Sequence, residues 1–275
     1  MQKFVFIVNA VAVKFFLLVW RQGAILTQGQ NNDPLHSTSR NMREPVLSQA
    51  IEDYLKAIHF LQLTDKKVST SAIAERLSVA QASVTGMIKK MAEMKLVEHS
   101  PYQGVELTRA GEKIALEIIR HHRLLELYLA EAMGYSWDKV HDEAEKLEHV
   151  ISEEFEDKID EFLGRPTADP HGAPIPTKDG QMPVFQGFAL AQAEAGDRVV
   201  VRMVSDRDPE KLRYLGKIGL FPNIEIEVID KAPFNGPVHI RLSAISHHLG
   251  RELAQVILVE RVERQAHSGA EQQRS

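Results

Sequence analysis

The chain of 275 residues contains no cysteine. This absence excludes disulfide bridges, thiolate nucleophiles and zinc sites built on thiolates, so any metal must be bound by carboxylate, imidazole or carbonyl groups. Aromatic residues are also scarce, at 7% of the chain, whereas charged residues make up 26%. The composition is that of an ordinary soluble protein with room for about two or three small domains.

Only one segment is long and apolar, residues 4–20, and Lys14 interrupts it. A secretory signal is disfavoured because no small-residue cleavage site follows, and the length allows a single membrane anchor only marginally. We therefore expect Met42 to be the true start, with residues 1–41 outside the folded protein as an over-extended reading frame or a disordered segment. The polar tail over residues 264–275 is also expected to be disordered.

The first folded region is predicted to be a winged helix-turn-helix over residues 42–113. The segment VLSQAIEDYLKAIHFLQL has apolar residues at helical spacing. A second helix is capped by Ser69 or Thr70, and a third runs from about Ala80 to Met94. Two short strands then follow around a Pro–Gly turn, which completes the order of elements typical of this domain.

Two long helices are predicted next, within a helical region over residues 114–180. Thr108 and Ser136 are suitable caps, and Gly134 and Gly164 are suitable stops. The second helix is expected to be continuous through SWDKVHDEAEKLEHVISEEFEDKIDEFLG. A loop rich in proline and glycine follows it.

Short β-patterned runs and one helix occupy residues 190–263 and predict a small SH3-like β-barrel. The expected fold class is therefore mainly α with β: a winged helix-turn-helix, a helical domain and a C-terminal SH3-like β-barrel.

The acidic charge is concentrated on the two long helices. Residues 114–163 carry five Lys or Arg against 14 Asp or Glu. On the first of these helices, His122 and Glu126 have the i, i+4 spacing that allows both to bind one ion. His121 points about 100° away from His122, so we expect it on the surface.

The second long helix carries His141, Glu145 and His149 at four-residue intervals, with Glu148 alongside, so all four lie within one helical face. A single Glu or His on a helix is usually solvated, but such groups on two neighbouring helices favour a metal site. The set on the second helix needs another hard ligand to complete an octahedron, and Asp53 on the first helix of the winged helix-turn-helix is the obvious supply.

The recognition helix of a helix-turn-helix presents its first residues to base edges in the major groove. Gln81 is predicted to bond an adenine edge, with Ala80 and Ala82 beside thymine methyl groups. The remaining expected DNA contacts, mostly with phosphates, are Ser83, Thr85, Gly86, Lys89, Lys90 and Tyr102 in the wing. The net charge over residues 43–113 is only +1, so affinity must depend on a local patch and on dimerisation. The alternative is a winged helix that serves only as a protein-interaction module.

Ordered motifs in all three regions resemble the diphtheria toxin repressor and manganese transport regulator family. They are EDYLKAI, AERLSVAQASVTGMIKKM, HRLLE, KVHDEAEKLEHV and DPHGAPIP. The resemblance implies a cytoplasmic, homodimeric, metal-activated repressor that binds palindromic double-stranded operator DNA, with no membrane partner and no small organic substrate. It also implies that the helical region is the metal-binding and dimerisation domain and that the barrel is the third domain of the longer members.

By position, the resemblance implies a primary metal site and an ancillary one. The primary site is Asp53, Glu145, Glu148 and His149. The ancillary site is His122, Glu126 and His141, with a carboxylate from the third domain. Asp208 is the nearest match for that carboxylate, and Asp206 and Glu210 are close alternatives.

Departures from the family pattern bear on the metal. Iron-responsive members place methionine and cysteine where this chain has Asp53 and Glu145, and replacing soft sulfur by carboxylate favours Mn(II) over Fe(II). The short manganese regulators have a further glutamate where this chain has Lys56, so two separated sites are expected rather than a binuclear one. The expected function is Mn(II)-activated repression of metal-uptake genes. The alternatives are an Fe(II)-responsive repressor and a winged-helix regulator that senses a non-metal ligand.

An enzyme is the remaining rival class, because carboxylates and histidines on paired helices also build di-iron centres. Those centres use Glu-x-x-His. Here Lys146 and Asp138 stand three residues before His149 and His141, so the pattern fails and no enzyme is expected.

Overall fold

The computed structural model describes residues 47–100 and 104–262. Three helices and a two-stranded hairpin come first: α1 (Gln49–Gln62), α2 (Thr70–Leu77), α3 (Gln81–Glu93), β1 (Val97–Ser100) and β2 (Gly104–Leu107). The expectations for residues 1–41, for Tyr102 and for the tail after residue 263 fall outside the described residues.

The winged helix-turn-helix is built by local signals. The Ser69 hydroxyl accepts a hydrogen bond from the backbone N–H of Ala72 and so begins α2. Ser78 adopts a left-handed conformation at the end of α2, which turns the chain toward α3. The apolar faces of the three helices and the hairpin meet in one fully buried core that includes Leu55, Ile58, Ile73, Val84, Ile88 and Met91. The predicted fold class is confirmed for this region.

The helical region differs from the prediction in one respect. The helix α4 (Arg109–Glu131) begins at Thr108 as expected, but the second long helix is two helices, α5 (Val140–Leu147) and α6 (Glu153–Phe162). The break occurs because the Ser152 hydroxyl accepts a hydrogen bond from Phe155 N–H and starts a new helix. The single continuous helix was wrong.

The C-terminal domain is a six-stranded antiparallel sheet with strand order β3-β8-β4-β5-β6-β7. It contains β3 (Phe188–Ala189), β4 (Arg198–Val204), α7 (Pro209–Ile218), β5 (Glu225–Lys231), β6 (Val238–Leu242), β7 (Ile245–Leu249), α8 (Arg251–Gln255) and β8 (Ile257–Arg261). Alternate strand residues and α7 fill one apolar core. This agrees with the predicted SH3-like fold class.

The loop before the sheet is pinned to β4. The backbone N–H of Val204 donates to the His171 carbonyl at 2.9 Å. Gly172 has a φ of +85°, and a Cβ on it would lie 1.8 Å from the Arg202 carbonyl oxygen. Only glycine fits this close approach, so the contact with β4 fixes the position of His171.

None of the helices within residues 47–100 and 104–262 is long and apolar enough to cross a bilayer.

Two helical glycines provide a matched test of how closely α4 packs against the chain just before β1. A Cβ on Gly111 would lie 2.0 Å from the Leu96 carbonyl oxygen, whereas a Cβ on Gly86 would meet nothing within 4 Å. We expect Gly111→Ala to lower the free energy of unfolding by about 2–3 kcal/mol, because backbone must move. Gly86→Ala is expected to raise it by up to about 1 kcal/mol through helix propensity.

Urea unfolding followed by circular dichroism measures both changes. Equal stability of the two variants would show that α4 does not approach the Leu96 backbone, just before β1, as closely as described.

Candidate metal centre

The first group of candidate ligands joins the DNA-binding domain to the helical region, and we call Asp53, Glu148 and His149 the interdomain cluster. Asp53 lies on α1, whereas Glu148 and His149 follow the end of α5. His149 Nε2 is 3.0 Å from Asp53 Oδ1 and 3.3 Å from Glu148 Oε1. Glu52 lies 2.6 Å from the other ring nitrogen, Nδ1. A proton on Nδ1 would donate to Glu52 and leave Nε2 free to act as a ligand.

Glu145 was predicted as a fourth member, but its placement differs. Its side chain is 54% exposed, and Glu145 Oε1 lies 3.7 Å from both Lys56 Nζ and His141 Nε2. The groups of candidate ligand atoms that lie within 4.8 Å of one another include Asp53, Glu148 and His149 without Glu145. Glu145 is therefore beside the interdomain cluster and between it and the second cluster.

The second group, which we call the inner cluster, consists of His122, Glu126, His141 and Asp206. Glu126 Oε1 is 3.1 Å from His122 Nε2 and 3.3 Å from His141 Nδ1. Asp206 Oδ2 lies 3.4 Å from His141 Nδ1. Two imidazoles and two carboxylates therefore converge, a donor set that suits a divalent transition metal.

The carboxylate of the third domain that the structure brings into the inner cluster is Asp206, whereas Asp208 lies outside this group. Asp208 is the N-cap of α7, and its Oδ1 accepts hydrogen bonds from the backbone N–H groups of Glu210 and Lys211 at 3.0 and 3.3 Å. The start of α7 thus uses the Asp208 side chain as its cap, which is why the structure does not bring the predicted Asp208 into the cluster.

A third group was missed by the sequence analysis: Glu126, Asp169 and His171, which we call the loop cluster. All three are buried. His171 Nε2 is 2.7 Å from the Trp137 carbonyl, to which it can donate. Within the described residues, His171 Nδ1, Glu126 Oε2 and Asp169 Oδ2 are buried atoms without a hydrogen-bond partner. Buried polar atoms of this kind normally have one, and a cation between them would provide it.

The motif DPHG contains both missing residues, but its Pro and Gly predicted only a loop. Two possible ligands two residues apart in a rigid loop were the available signal. Their meeting with Glu126 depends on the contact between Gly172 and β4, which local sequence does not reveal.

Histidines compensate the buried carboxylates. Burial disfavours ionised Glu126, but the charge and hydrogen bond of His122 outweigh it and hold the pKa of Glu126 well below its usual range. For His141, burial also opposes the charge, yet hydrogen bonds with Asp206 and Glu126 raise its pKa to about 10. The pKa of His171 is likewise raised, to about 9, by Glu126 and Asp169. Burial and then the charge of Glu126 raise the pKa of Asp169 to about 7.

His121 is buried, at 5% exposure, so the expectation of a surface position was wrong. Its Nε2 lies 3.2 Å from Glu156 Oε2 on α6, and its Nδ1 lies 3.1 Å from the backbone carbonyl of Glu148. Arg120 also contacts Glu156, at 2.5 Å. His121 is buried because α6 packs on this face of α4. A single continuous second helix, as predicted, would have left that face in solvent. Through the contact of His121 with the Glu148 carbonyl, this network holds the backbone of the interdomain cluster in place.

The predicted DNA-contacting residues of α3 form one exposed surface. Ala80, Gln81, Ala82, Ser83, Thr85, Gly86, Lys89 and Lys90 are all exposed, while Val84 and Ile88 face the core. Gln81 Nε2 donates to the Ser71 hydroxyl at 2.8 Å, which holds this amide at the start of the helix. The surface is free for a partner, as a recognition helix requires.

Comparison with known families covers most of the chain. Residues 46–105 match "Iron dependent repressor, N-terminal DNA binding domain". Residues 108–177 match "Iron dependent repressor, metal binding and dimerisation domain". Residues 188–261 match the FeoA domain.

Individual relatives agree. The chain is 30% identical over 227 residues to the diphtheria toxin repressor of Corynebacterium efficiens, covering 79% of this chain and 97% of that protein. It is 29% identical over 231 residues to the iron-dependent repressor IdeR of Mycobacterium tuberculosis, covering 78% and 99%. A solved manganese-dependent transcriptional repressor complex with manganese is 40% identical, with a TM-score of 0.72 and coverage of 77% and 100%.

The fold and these matches define the class: a metal-dependent, DNA-binding transcriptional repressor. Within that class, the chain belongs to the diphtheria toxin repressor family. The family is one of transcriptional repressors.

The raised pKa values of His141 and His171 predict how the metal-free protein responds to pH. The pKa of an unfolded histidine is about 6.5, so the folded protein binds more protons than the unfolded one at neutral pH. This stabilisation is complete below about pH 6.5 and is lost as pH rises through about 9 and 10. We expect the melting temperature in EDTA to fall steadily from pH 7 to pH 9.5.

His141→Gln should reduce this slope, because the residue no longer exchanges a proton. A melting temperature that is constant or rises over this pH range would contradict the described cluster.

Proposed function

We propose that the chain is a Mn(II)-activated homodimeric repressor that binds palindromic operator DNA and controls metal-uptake genes. The observation that carries this proposal is the interdomain cluster. Asp53 belongs to α1, which shares one apolar core with the recognition helix, while Glu148 and His149 belong to the metal-binding and dimerisation domain. Ligands on both sides of a domain boundary are what a metal-controlled orientation requires.

The charges of these side chains support a coupling between metal binding and DNA binding. Asp53 and Glu148 repel each other, and burial raises the pKa of Asp53 with a further contribution from the Glu148 charge. A divalent cation held by Asp53, Glu148 and His149 would supply the attraction that this pair lacks. Because α1 and α3 share one core, a fixed α1 fixes the recognition helix too. A coupling of a few kcal/mol changes DNA affinity by about two orders of magnitude.

The inner and loop clusters are proposed as a second metal-binding region that includes the third domain. Glu126 belongs to both clusters, and its two oxygens face different partners: Oε1 lies near His122 and His141, and Oε2 lies 3.8 Å from His171 Nδ1. Metal bound there would tie α4, α5, the loop and the segment after β4 together. This role is stiffening of the dimerisation domain and docking of the SH3-like domain.

Manganese is favoured over iron by the chemistry of the donors. The three clusters offer only carboxylate oxygens and imidazole nitrogens, and the harder the donor set, the better it suits Mn(II) relative to softer ions. The relative solved with manganese supports this choice. The iron-dependent relatives keep an Fe(II)-responsive repressor as the alternative. A regulator that senses a non-metal ligand would bind DNA equally well without Asp53 or Glu148.

The homodimer is supported by an exposed aromatic surface in the matched dimerisation domain. Phe155 and Phe162 on α6 are 44% and 66% exposed. Their rings lie 6.4 and 5.8 Å from the ring of Tyr128, so the three form one patch. Apolar surface of this kind is typical of a subunit interface.

We expect Phe162→Asp to shift the protein from dimer to monomer, because a carboxylate would be buried in the interface. Light scattering after size exclusion measures the mass, and Phe234→Asp, at a 99% exposed position on the sheet domain, is the control. A dimer that persists in Phe162→Asp would place the interface elsewhere.

The main test is a titration of fluorescent promoter DNA from a manganese-uptake gene with the full-length protein. It is run with chelator, with Mn(II), and with Fe(II) without oxygen. We expect Mn(II) to increase affinity by about a hundredfold over chelator. Asp53→Asn and Glu148→Gln should lose most of that increase, since each removes a charged ligand.

Asp206→Asn and Asp208→Asn form a matched pair for the second region. The Asp206 variant should bind Mn(II) more weakly, whereas the Asp208 variant should resemble the unmodified protein, because asparagine also caps a helix. Equal DNA binding in chelator and in both metals would refute the bridging mechanism. A larger increase with Fe(II) would favour the iron alternative.

A further inference from the structure

A lysine ammonium lies at the point where the interdomain and inner clusters meet. Lys56 on α1 is 13% exposed, and its Nζ donates to both oxygens of Glu148, at 2.7 and 2.9 Å. The same nitrogen is 3.3 Å from His122 Nδ1 and 3.7 Å from Glu145 Oε1. His122 also hydrogen-bonds the Glu148 carboxylate. One positive charge of the chain therefore contacts members of both clusters.

We propose that Lys56 is a tethered cation that competes with metal for Glu148 and so sets the metal concentration at which the protein responds. An ammonium is a compact charge with three donors, and here two of them engage the carboxylate that the interdomain cluster needs. A divalent cation entering that cluster must either displace the ammonium or remain close to it. Either event weakens metal binding.

The site is open to such an exchange. A groove of about 670 Å³ is lined by Asp53, Lys56 and Glu145 and also by Arg76 and Arg207. Metal can reach Asp53 through this groove, and the lysine head has room to move into it. The four-carbon stem allows that movement without a change in α1.

Competition has a second consequence in the metal-free protein. Glu148 is 1% exposed and lies across the domain boundary from α1. The ion pair with Lys56 therefore holds α1 against the end of α5 when no metal is present. Removing the ammonium should strengthen metal binding and weaken the metal-free fold at the same time. A lysine that only positions Glu148 would weaken both when removed.

The test compares Lys56→Met with Lys146→Met, a control whose lysine is exposed and forms its ion pair with Glu143 on the same helix. Calorimetry gives the Mn(II) dissociation constant, and melting in EDTA gives the stability of the metal-free state. We expect Lys56→Met to bind the highest-affinity Mn(II) ion about ten- to a hundredfold more strongly. The substitution removes a positive charge that would lie about 4–6 Å from that ion. Its melting temperature in EDTA should be several degrees lower. The control should change neither value.

Lys56→Arg keeps the charge and should retain most of the original Mn(II) affinity; Lys56→Gln replaces the methionine variant if the latter does not fold. Unchanged or weaker Mn(II) binding in the uncharged variants would overturn the proposal. The inference rests on the proposed metal site. If the unmodified protein binds neither Mn(II) nor Fe(II), the proposed function fails, whereas normal metal binding that is indifferent to Lys56 refutes the competition alone.

Discussion

The burial of two glutamates is the constraint on which the rest of this structure depends. Glu126 and Glu148 are 0% and 1% exposed, and an ionised carboxylate is costly in such a place unless positive charge and hydrogen bonds surround it. The chain supplies four histidines around them and one lysine, drawn from α1, α4, both ends of α5 and the loop before the sheet. The elements that carry these residues must therefore assemble together.

The winged helix and α4 were predictable because their signals are local. Caps such as Ser69 and Thr108 and the apolar spacing are visible in the letters themselves. The break between α5 and α6 was not, because the acidic helical pattern continues through it and only the Ser152 cap marks the new start. The burial of His121 follows from that break, because α6 packs on α4 and covers the face that carries His121.

The candidate site divides in the same way. His122, Glu126 and His141 were predicted from helical spacing and from the family resemblance, because a helix places residues four apart side by side. Asp169, His171 and Asp206 lie in loops, where spacing carries no such information. Asp169 and His171 meet Glu126 because Gly172 contacts β4, a strand about 30 residues further along the chain. Asp206 joins them, and Asp208 does not, because the Asp208 side chain caps α7.

The three clusters are one connected system. Glu148 binds His149 on one side and His122 on the other, and His122 in turn contacts Glu126, which faces both His141 and His171. A charge added at one end of this series of contacts therefore changes the protonation of the side chains and the ion pairing of Lys56 at the other end. Because Asp206 and His171 are positioned by the sheet domain, that domain takes part in this balance. The hydrogen bonds and ion pairs that stabilise the buried carboxylates without metal are the contacts that a bound metal has to replace. Their strength therefore affects the metal concentration at which the protein responds.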